Sequence, residues 1–230
     1  MIVDILGTTL VDYPGIVAST VFIAGCNLRC PFCHNSELVF PELYKNRTEL
    51  SHKNVLDFII KRKSFIKGVV FTGGEPLMHK GLSDLSDEIR SLGLKTKLDT
   101  NGYMPKMLEK AITHFDYVAM DIKSPPNKYN EATGIEIEFE KIKRSISIIL
   151  NSDIKYEFRT TLVPNLFQST SDMIPIGELI KGAELFALQS FSSEKTLSPE
   201  YQGISIYTPD ITELFANTIS PYVKQIIVRT

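Results

Sequence analysis

The stretch VASTVFIAGCNLRCPFCHN, residues 17–35, joins an apolar, β-branched run to a loop that carries every cysteine of the 230-residue chain. Its first part, Val17–Ile23, has the composition of a buried β-strand. Its second part places Cys26, Cys30 and Cys33 in the pattern C-x-x-x-C-x-x-C. The stretch therefore predicts a strand whose carboxyl end delivers three thiols to one place.

Thiolates at this spacing suit an iron-sulfur cluster of the cubane type. Three protein ligands leave one iron of such a cluster free to bind a substrate or a cofactor. A structural zinc site needs four closed ligands, and His34 could serve only awkwardly, because adjacent residues seldom turn both side chains onto one ion. Zinc is thus the weaker interpretation. A disulfide is weaker still, because an odd number of cysteines lies in one loop.

Composition places the chain among proteins of the cytoplasm that bind neither nucleic acid nor membranes. The formal net charge is -2 and the charged residues are spread throughout, so there is no basic stripe. Apolar runs such as Val17–Phe22 and Ile146–Leu150 are far too short to span a bilayer. The start, Met1–Asp4, does not resemble a secretory signal, so the thiols are expected to stay reduced. The length suits one domain, residues 1–230.

Short apolar, β-branched runs alternate with segments of helical period, which is the pattern of parallel βα units. The predicted strands are Val17–Ile23, Gly68–Thr72, Lys95–Thr100, Tyr117–Asp121, Lys155–Thr161, Glu184–Gln189 and Gln225–Arg229. One helix is predicted after the N-cap Ser51, and the others are Leu82–Leu92, Pro105–His114, Phe139–Leu150, Ser171–Lys181 and Asp210–Asn217.

A polar signature follows each of the first six predicted strands. In chain order these are the cysteine loop, TGGEP (72–76), DTNG (99–102), DIK (121–123), RTTLVP (159–164) and QSF (189–191). Parallel α/β barrels build their sites from the carboxyl ends of the strands, so we expect the six signatures to meet at one mouth. Six such units predict an α/β fold with a partial (β/α)6 barrel.

The predicted mouth brings two carboxylates close together. Asp121 and Lys123 are two residues apart at a strand end, so their side chains point to the same side. Asp99 ends the adjacent strand, about 5 Å away laterally. Two such carboxylates resist joint ionisation unless a cation lies between them. Lys123, a metal ion or a sulfonium ligand could supply that charge, and Arg159 is a suitable bidentate donor. A structural ion-pair network is the alternative.

Taken together, these motifs resemble the radical S-adenosylmethionine superfamily. The cysteine loop, with the aromatic Phe32 before its last cysteine, is similar to the loop that binds a 4Fe-4S cluster in that superfamily. The segment Gly73-Gly74-Glu75 resembles the one that binds the methionine amino group. Its glycines let the backbone pass close to a ligand, and the glutamate can accept from an ammonium group. The resemblance implies a partial barrel in which S-adenosylmethionine binds the open iron.

Further segments narrow the resemblance to the glycyl-radical-enzyme activases. They are Cys33-His34-Asn35, DTNG, DIK, Thr133-Gly134 and the run LVDYPG at residues 10–15, and the nearest likeness is to the activating protein of anaerobic ribonucleoside-triphosphate reductase. In that family the residues matching Asp99, Thr100 and Asp121 hold a monovalent cation. The residue matching Lys123 contacts the cofactor.

The resemblance implies an oxidoreductase that cleaves S-adenosylmethionine and generates a glycyl radical on a partner enzyme. No cysteine follows Cys33, so an auxiliary cluster is not expected and the electrons must come from an external flavodoxin or ferredoxin. No catalytic side chain is expected beyond the cluster and the cofactor. The expected cofactor contacts are Phe32, His34, Gly73, Gly74, Glu75, Asp99, Asn101, Asp121, Lys123, Arg159 and Gln189. Tyr13 could flank the cofactor, although an aromatic residue beside a loop more often packs against its neighbours.

Two alternatives remain at the level of the sequence. One is a radical enzyme that acts on a small molecule, such as 7-carboxy-7-deazaguanine synthase. The other is an iron-sulfur electron carrier without chemistry of its own. The histidines His52, His79 and His114 have no partners at ligand spacing and are expected at helix ends or on the surface.

Overall fold

The computed structural model describes residues 1–229, in which eight strands form one sheet in chain order. The first pair is antiparallel and every later pair is parallel. The strands are β1 Ile2–Thr9, β2 Ala18–Ile23, β3 Gly68–Gly73, β4 Lys95–Thr100, β5 Tyr117–Asp121, β6 Lys155–Leu162, β7 Phe186–Ser190 and β8 Ile226–Arg229.

Helices connect the parallel strands. They are α1 Pro41–Tyr44, α2 His52–Arg62, α3 Leu82–Ser91, α4 Pro105–Ala111, α5 Tyr129–Thr133, α6 Phe139–Leu150, α7 Met173–Leu179 and α8 Pro209–Ile219. The predicted N-cap is confirmed, because the hydroxyl of Ser51 accepts a hydrogen bond from the backbone N–H of Asn54 at 3.2 Å. Across residues 1–229, no helix has both the length and the apolar character needed to cross a membrane.

The predicted partial (β/α)6 barrel is confirmed in strands β2 to β7, with β8 following as the last predicted strand. The structure adds one strand that the sequence did not predict, β1, which runs antiparallel to β2. This strand lies at the edge of the sheet and several of its side chains are exposed. An edge strand with a mixed pattern of burial gives a weak signal in the sequence.

The two faces of the sheet differ in chemistry. Residues that face the helices are mostly apolar and fully buried, for example Leu98, Met120 and Phe158. The alternate residues face the inside of the barrel, and among them Lys97 and Glu157 are buried although they are charged. Strand alternation therefore separates an apolar core under the helices from a polar interior.

Aromatic rings close the end of the barrel where the strands begin. Tyr13 and Tyr117 lie with ring centroids 5.7 Å apart, and they pack with Ala18, Val70 and Ala119. Of the two roles that the sequence leaves open for Tyr13, packing is the one that the structure shows, because its ring lies at the opposite end from the cysteines. A cavity of about 870 Å³ also opens at this end, and its lining residues carry none of the strand-end signatures.

The last strand contributes one partner of an ion pair inside the barrel. Glu157 on β6 is completely buried, and Arg229 on β8 donates to both of its carboxylate oxygens at 3.0 and 2.6 Å. The hydroxyl of Tyr117 lies 3.3 Å from one of these oxygens. A buried carboxylate is tolerated only when it is paired in this way.

We predict that Arg229→Met lowers the free energy of unfolding by about 3 kcal/mol, because the charge on Glu157 is left buried and unpaired. The double variant Glu157→Gln, Arg229→Met should recover most of this loss. Urea unfolding measures both. The control is Arg144→Met, which removes an exposed ion pair with Glu109 and should cost less than about 1 kcal/mol. Equal losses in the two single variants would contradict the prediction.

Candidate functional site

The strand-end signatures meet at one mouth, as the sequence predicted. A cavity of about 670 Å³ lies at the carboxyl ends of the parallel strands, within the size range of ligand sites. The structure brings to it all the predicted site residues except Glu75, namely Cys26, Cys30, Phe32, Cys33, His34, Gly73, Gly74, Asp99, Thr100, Asn101, Asp121, Lys123, Arg159 and Gln189.

The cysteine loop is tied to the loop after β3 by backbone hydrogen bonds. The N–H of Glu75 donates to the carbonyl of Gly25 at 2.8 Å, and the N–H of Gly74 donates to the carbonyl of Ile23 at 2.7 Å. At the far end of the cysteine loop, the side-chain amide of Asn35 donates to the carbonyl of Gly73 at 3.1 Å. The thiols are thereby held against the glycine segment.

Arg29 braces the cysteine loop from within. Its guanidinium donates to the carbonyls of Cys26 and Leu28, both at 2.7 Å, and lies 4.6 Å from the centre of the Phe40 ring. Its backbone N–H donates to the carbonyl of Thr133 at 2.8 Å. The Thr133-Gly134 motif therefore acts at the cysteine loop, although it lies about a hundred residues further along the chain.

Three glycines are required by crowding against the chain itself. A Cβ on Gly74 would lie 2.2 Å from the carbonyl oxygen of Gly25, and a Cβ on Gly134 would lie 2.2 Å from that of Arg29. Gly73 has a φ of 120° and would meet the carbonyl oxygen of Ile23 at 2.4 Å. The sequence indicated room for a ligand, but the main cause is the close approach of the cysteine loop and the strand before it.

The thiols fit an iron-sulfur cluster better than a single ion. Burial raises the pKa of Cys26 to about 11 and that of Cys30 to about 12, so both hold their protons until a metal displaces them. In residues 1–229 no three Cys, His, Asp or Glu side chains are gathered tightly enough to share one metal ion. A cluster needs only one thiolate for each iron. The donor set thus disfavours the zinc interpretation.

Glu75 lies behind the cavity and not in its wall. Its side chain is completely buried, and it accepts hydrogen bonds from the N–H of Leu77 at 3.2 Å, the hydroxyl of Thr100 at 2.9 Å and the N–H of Asn101 at 2.7 Å. That this carboxylate also accepts from a ligand ammonium group stays a prediction. Glu75 joins the glycine segment to the end of β4.

Asn101 carries the link from β4 to the cysteine loop. Its side-chain amide donates to Asn27 at 2.8 Å and lies 3.8 Å from the sulfur of Cys26. Its own carbonyl oxygen accepts from the N–H of Tyr103 at 2.9 Å, which orients the amide. The DTNG motif thus positions a hydrogen-bond donor beside one thiol.

Charged side chains alternate in sign across three strands. The ammonium of Lys97 lies 2.6 Å from Asp99, and Arg159 joins Asp99 at 3.1 Å to Asp121 at 2.7 Å. The ammonium of Lys123 completes the series at 2.9 Å from Asp121. We call these five residues the charge chain. The structural ion-pair network that the sequence left open is present, and all of its residues except Lys97 line the cavity.

The register of the sheet corrects the expectation that Asp99 and Asp121 lie side by side. Asp99 pairs with Ala119, whereas Asp121 pairs with Arg159 on the other side of β5. The two carboxylates are thus offset by one layer along the barrel and not placed side by side. The small side chain of Ala119 next to Asp99 leaves room for the guanidinium of Arg159 to reach both.

The charge chain also shifts the pKa values of its own groups. Burial alone would raise the pKa of both carboxyl groups, but Arg159 holds each pKa below its ordinary value, with help from Lys97 at Asp99 and from Lys123 at Asp121. Burial alone would lower the pKa of Lys123, and Asp121 outweighs it and raises that pKa. At Lys97 burial outweighs Asp99 and the pKa is lowered.

The sequence analysis gives no role to two charged residues of the site. Lys97 contacts Asp99, and its position two residues before Asp99 puts both on one face of β4. Asp12 lines the cavity and accepts from the hydroxyl of Thr20 at 2.5 Å. Its signal was present in the LVDYPG run, which brings the chain back across the open side of the barrel.

His52, His79 and His114 lie at the ends of helices or of short 3-10 helices, as the sequence predicted, and each also has a side-chain partner. The Nε2 atoms of His52 and His79 lie 3.1 Å apart, and Nδ1 of His114 lies 2.7 Å from a carboxylate oxygen of Asp87. The partners come from other helices and turns, so sequence spacing does not reveal them. These contacts lie outside the cavity and join secondary-structure elements.

We predict that Gly74→Ala destabilises the metal-free protein by about 3 kcal/mol, because the backbone must move away from the carbonyl of Gly25. Urea unfolding measures the loss, and iron content after cluster reconstitution should fall with it. Gly93→Ala is the control, since its φ is 81° and nothing lies near its Cβ, which should cost about 1 kcal/mol. A loss no greater than that of the control would refute the crowding argument.

We predict that Glu75→Gln changes how stability depends on pH. Burial raises the pKa of Glu75 from 4.5 to about 7. The folded protein therefore binds this proton more tightly than the unfolded chain, and stability falls as the pH rises from 4.5 to about 7. Between pH 5 and 8 the wild type should lose about 2–3 kcal/mol relative to Glu75→Gln. Urea unfolding across this range tests it. With the exposed control Glu138→Gln the difference should stay constant.

Known proteins resemble this chain in sequence. The family model of the radical SAM superfamily matches residues 20–174. The pyruvate formate-lyase-activating enzyme of Clostridium pasteurianum is 32% identical over 184 residues, which cover 75% of this chain and 72% of that protein. A protein of Methanocaldococcus jannaschii described as a candidate glycyl-radical enzyme activating enzyme is 27% identical over 237 aligned residues, covering 100% of this chain and 96% of its own.

Solved structures share the fold at low sequence identity. QueE from Escherichia coli superposes with a TM-score of 0.58 at 17% identity and covers 100% of this chain and 93% of its own. A domain of a pyruvate-formate lyase-activating enzyme from Bacteroides vulgatus gives a TM-score of 0.55, also at 17% identity, and covers 71% of this chain and 99% of its own. With the fold, the cysteine loop and the sequence matches taken together, the chain belongs to the radical SAM superfamily and, within it, to the glycyl-radical-enzyme activating enzymes.

Proposed function

We propose that this enzyme generates a glycyl radical on an anaerobic ribonucleoside-triphosphate reductase, using S-adenosylmethionine and a 4Fe-4S cluster. The observation that carries the proposal is the meeting of the cysteine loop, DTNG and DIK at one mouth. The choice of partner is supported by the cysteine loop GCNLRCPFCHN, which resembles that of the reductase activases. The activity class follows from the family, and the partner is the part that needs testing.

Each group at the mouth has a place in this proposal. Cys26, Cys30 and Cys33 would hold the cluster, and the chemistry that the cluster would supply is the electron for reductive cleavage of S-adenosylmethionine. Lys123 and Arg159 present nitrogen donors to the carboxylate of the cofactor. The residues of the protein bind and orient, and none of them needs to exchange a proton during the cleavage.

The rim of the cavity favours a macromolecular substrate. Leu10 and Val11 are 74% and 81% exposed, and Val11 also lines the cavity together with Leu6, which is half-exposed. Exposed apolar side chains at the mouth of a site are typical of a surface that a partner covers. A docked protein would also keep water away from a reactive radical. We infer that the partner supplies the missing wall.

A radical enzyme that acts on a small molecule is the second candidate. The fold of QueE covers the whole of this chain, so the barrel alone does not exclude it. The electron-carrier interpretation is disfavoured by the charge chain, because a carrier has no need of Asp99, Asp121 and Lys123 beside its cluster. The external reductant that we propose is a flavodoxin or ferredoxin.

The test is electron paramagnetic resonance on an anaerobic mixture of reconstituted enzyme, reductant, S-adenosylmethionine and the reductase. We expect a doublet radical signal, since the unpaired electron couples to the remaining hydrogen on the glycine α-carbon. Deuterated glycine in the reductase should collapse the main splitting. Pyruvate formate-lyase, used in parallel, tests whether the partner is specific.

Cys30→Ala is the matched control, because the buried thiol is lost while the surrounding loop keeps its backbone contacts. It should bind little iron and give no radical signal. A radical signal with pyruvate formate-lyase but not with the reductase would identify pyruvate formate-lyase as the partner instead. Consumption of a small molecule in step with 5'-deoxyadenosine, with no glycyl radical on either protein, would replace the activase proposal by the second candidate.

A further inference from the structure

Lys97 is the one residue of the charge chain that neither the sequence motifs nor the proposed function explains. It lies on the inner face of β4 and is 1% exposed, with its ammonium 2.6 Å from Asp99. Burying a lysine is costly unless it is paired, so we expect the charge of Lys97 to have a function. Its position directly below the cavity indicates a function in cofactor binding.

The monovalent cation implied by the family resemblance does not fit the site. Both oxygens of Asp99 and both oxygens of Asp121 already accept from a nitrogen of Lys97, Arg159 or Lys123. The hydroxyl of Thr100, the third expected ligand of the cation, donates a hydrogen bond to Glu75. The guanidinium of Arg159 lies between the two carboxylates, where a cation would be needed.

We propose that the ammonium of Lys97 serves as a tethered monovalent cation, which holds Asp99 in place and makes cofactor binding independent of dissolved potassium or sodium. An ammonium group carries the same charge as a potassium ion and is close to it in size. Fixed to β4, it is present at every salt concentration. Lys97 is therefore a positioning residue that acts through Asp99 and Arg159.

The balance of charge supports this role. The charge chain contains three cations, Lys97, Arg159 and Lys123, against the two carboxylates of Asp99 and Asp121, which leaves one positive charge in excess. A buried excess charge attracts a single anion. The amino-acid end of S-adenosylmethionine, the cofactor in the proposed function, brings one carboxylate. Without Lys97 the excess disappears, and the site would have to recruit a cation from solution.

The first measurement needs no variant. S-adenosylmethionine affinity of the reconstituted wild type, by calorimetry, and the unfolding temperature of the metal-free wild type should be the same in potassium, ammonium, sodium, lithium and tetramethylammonium chloride at equal ionic strength. A clear preference for potassium in either measurement would overturn the proposal. Both are made without a partner protein, so they remain informative if the glycyl-radical activity fails.

The second measurement is chemical rescue of Lys97→Ala. In tetramethylammonium chloride this variant should bind S-adenosylmethionine about 10- to 100-fold more weakly than the wild type, which is typical of losing a group that orients a ligand. Potassium or ammonium should restore most of the affinity and raise the unfolding temperature of the metal-free variant, whereas lithium should not. An equal loss in every salt would assign Lys97 a bracing role only and refute the proposal.

Lys95→Ala is the matched control. Lys95 lies on the same strand, its side chain is 60% exposed and its ammonium pairs with Asp116 at 2.8 Å on the surface. This variant should bind S-adenosylmethionine like the wild type in every salt. If Lys97→Ala does not fold, Lys97→Met keeps the volume of the side chain, and the wild-type measurements still decide the question.

Discussion

Every charge that this barrel removes from water must meet an opposite charge, and the arrangement of the interior follows from that requirement. The pairs run between strands, from β4 to β6 through Asp99 and Arg159, and from β6 to β8 through Glu157 and Arg229. Each pair ties the register of one strand to that of another. A slip of one residue would turn the charges towards the helices and bring apolar side chains into the cavity.

The interior is divided into levels along the barrel axis. Aromatic rings of Tyr13 and Tyr117 close the amino-terminal end, and the pair of Glu157 with Arg229 lies above them. The charge chain shares this middle level, since Asp99 and Glu157 both pair with Ala119, and the thiols lie at the mouth. This order places the excess positive charge of the charge chain next to the thiols, where a charged cofactor can reach both.

Much of the architecture could be read from the sequence, because the signatures follow strands with a clear β-branched pattern and parallel strands share one active edge. Other features depend on contacts that no local pattern encodes. The offset between Asp99 and Asp121 is set by strand register. The burial of Glu75 is set by the turn that brings its carboxylate to the end of β4. Lys97 was overlooked because a lysine in a strand is ordinarily exposed.

The cysteine loop is held by main-chain hydrogen bonds from the ends of β2 and β3, from the end of α5 and from Ser198 in the segment before α8. None of these bonds involves a thiol. The loop is therefore anchored to the barrel by contacts that do not depend on a bound metal. Loss of a cluster would by itself leave these anchors in place.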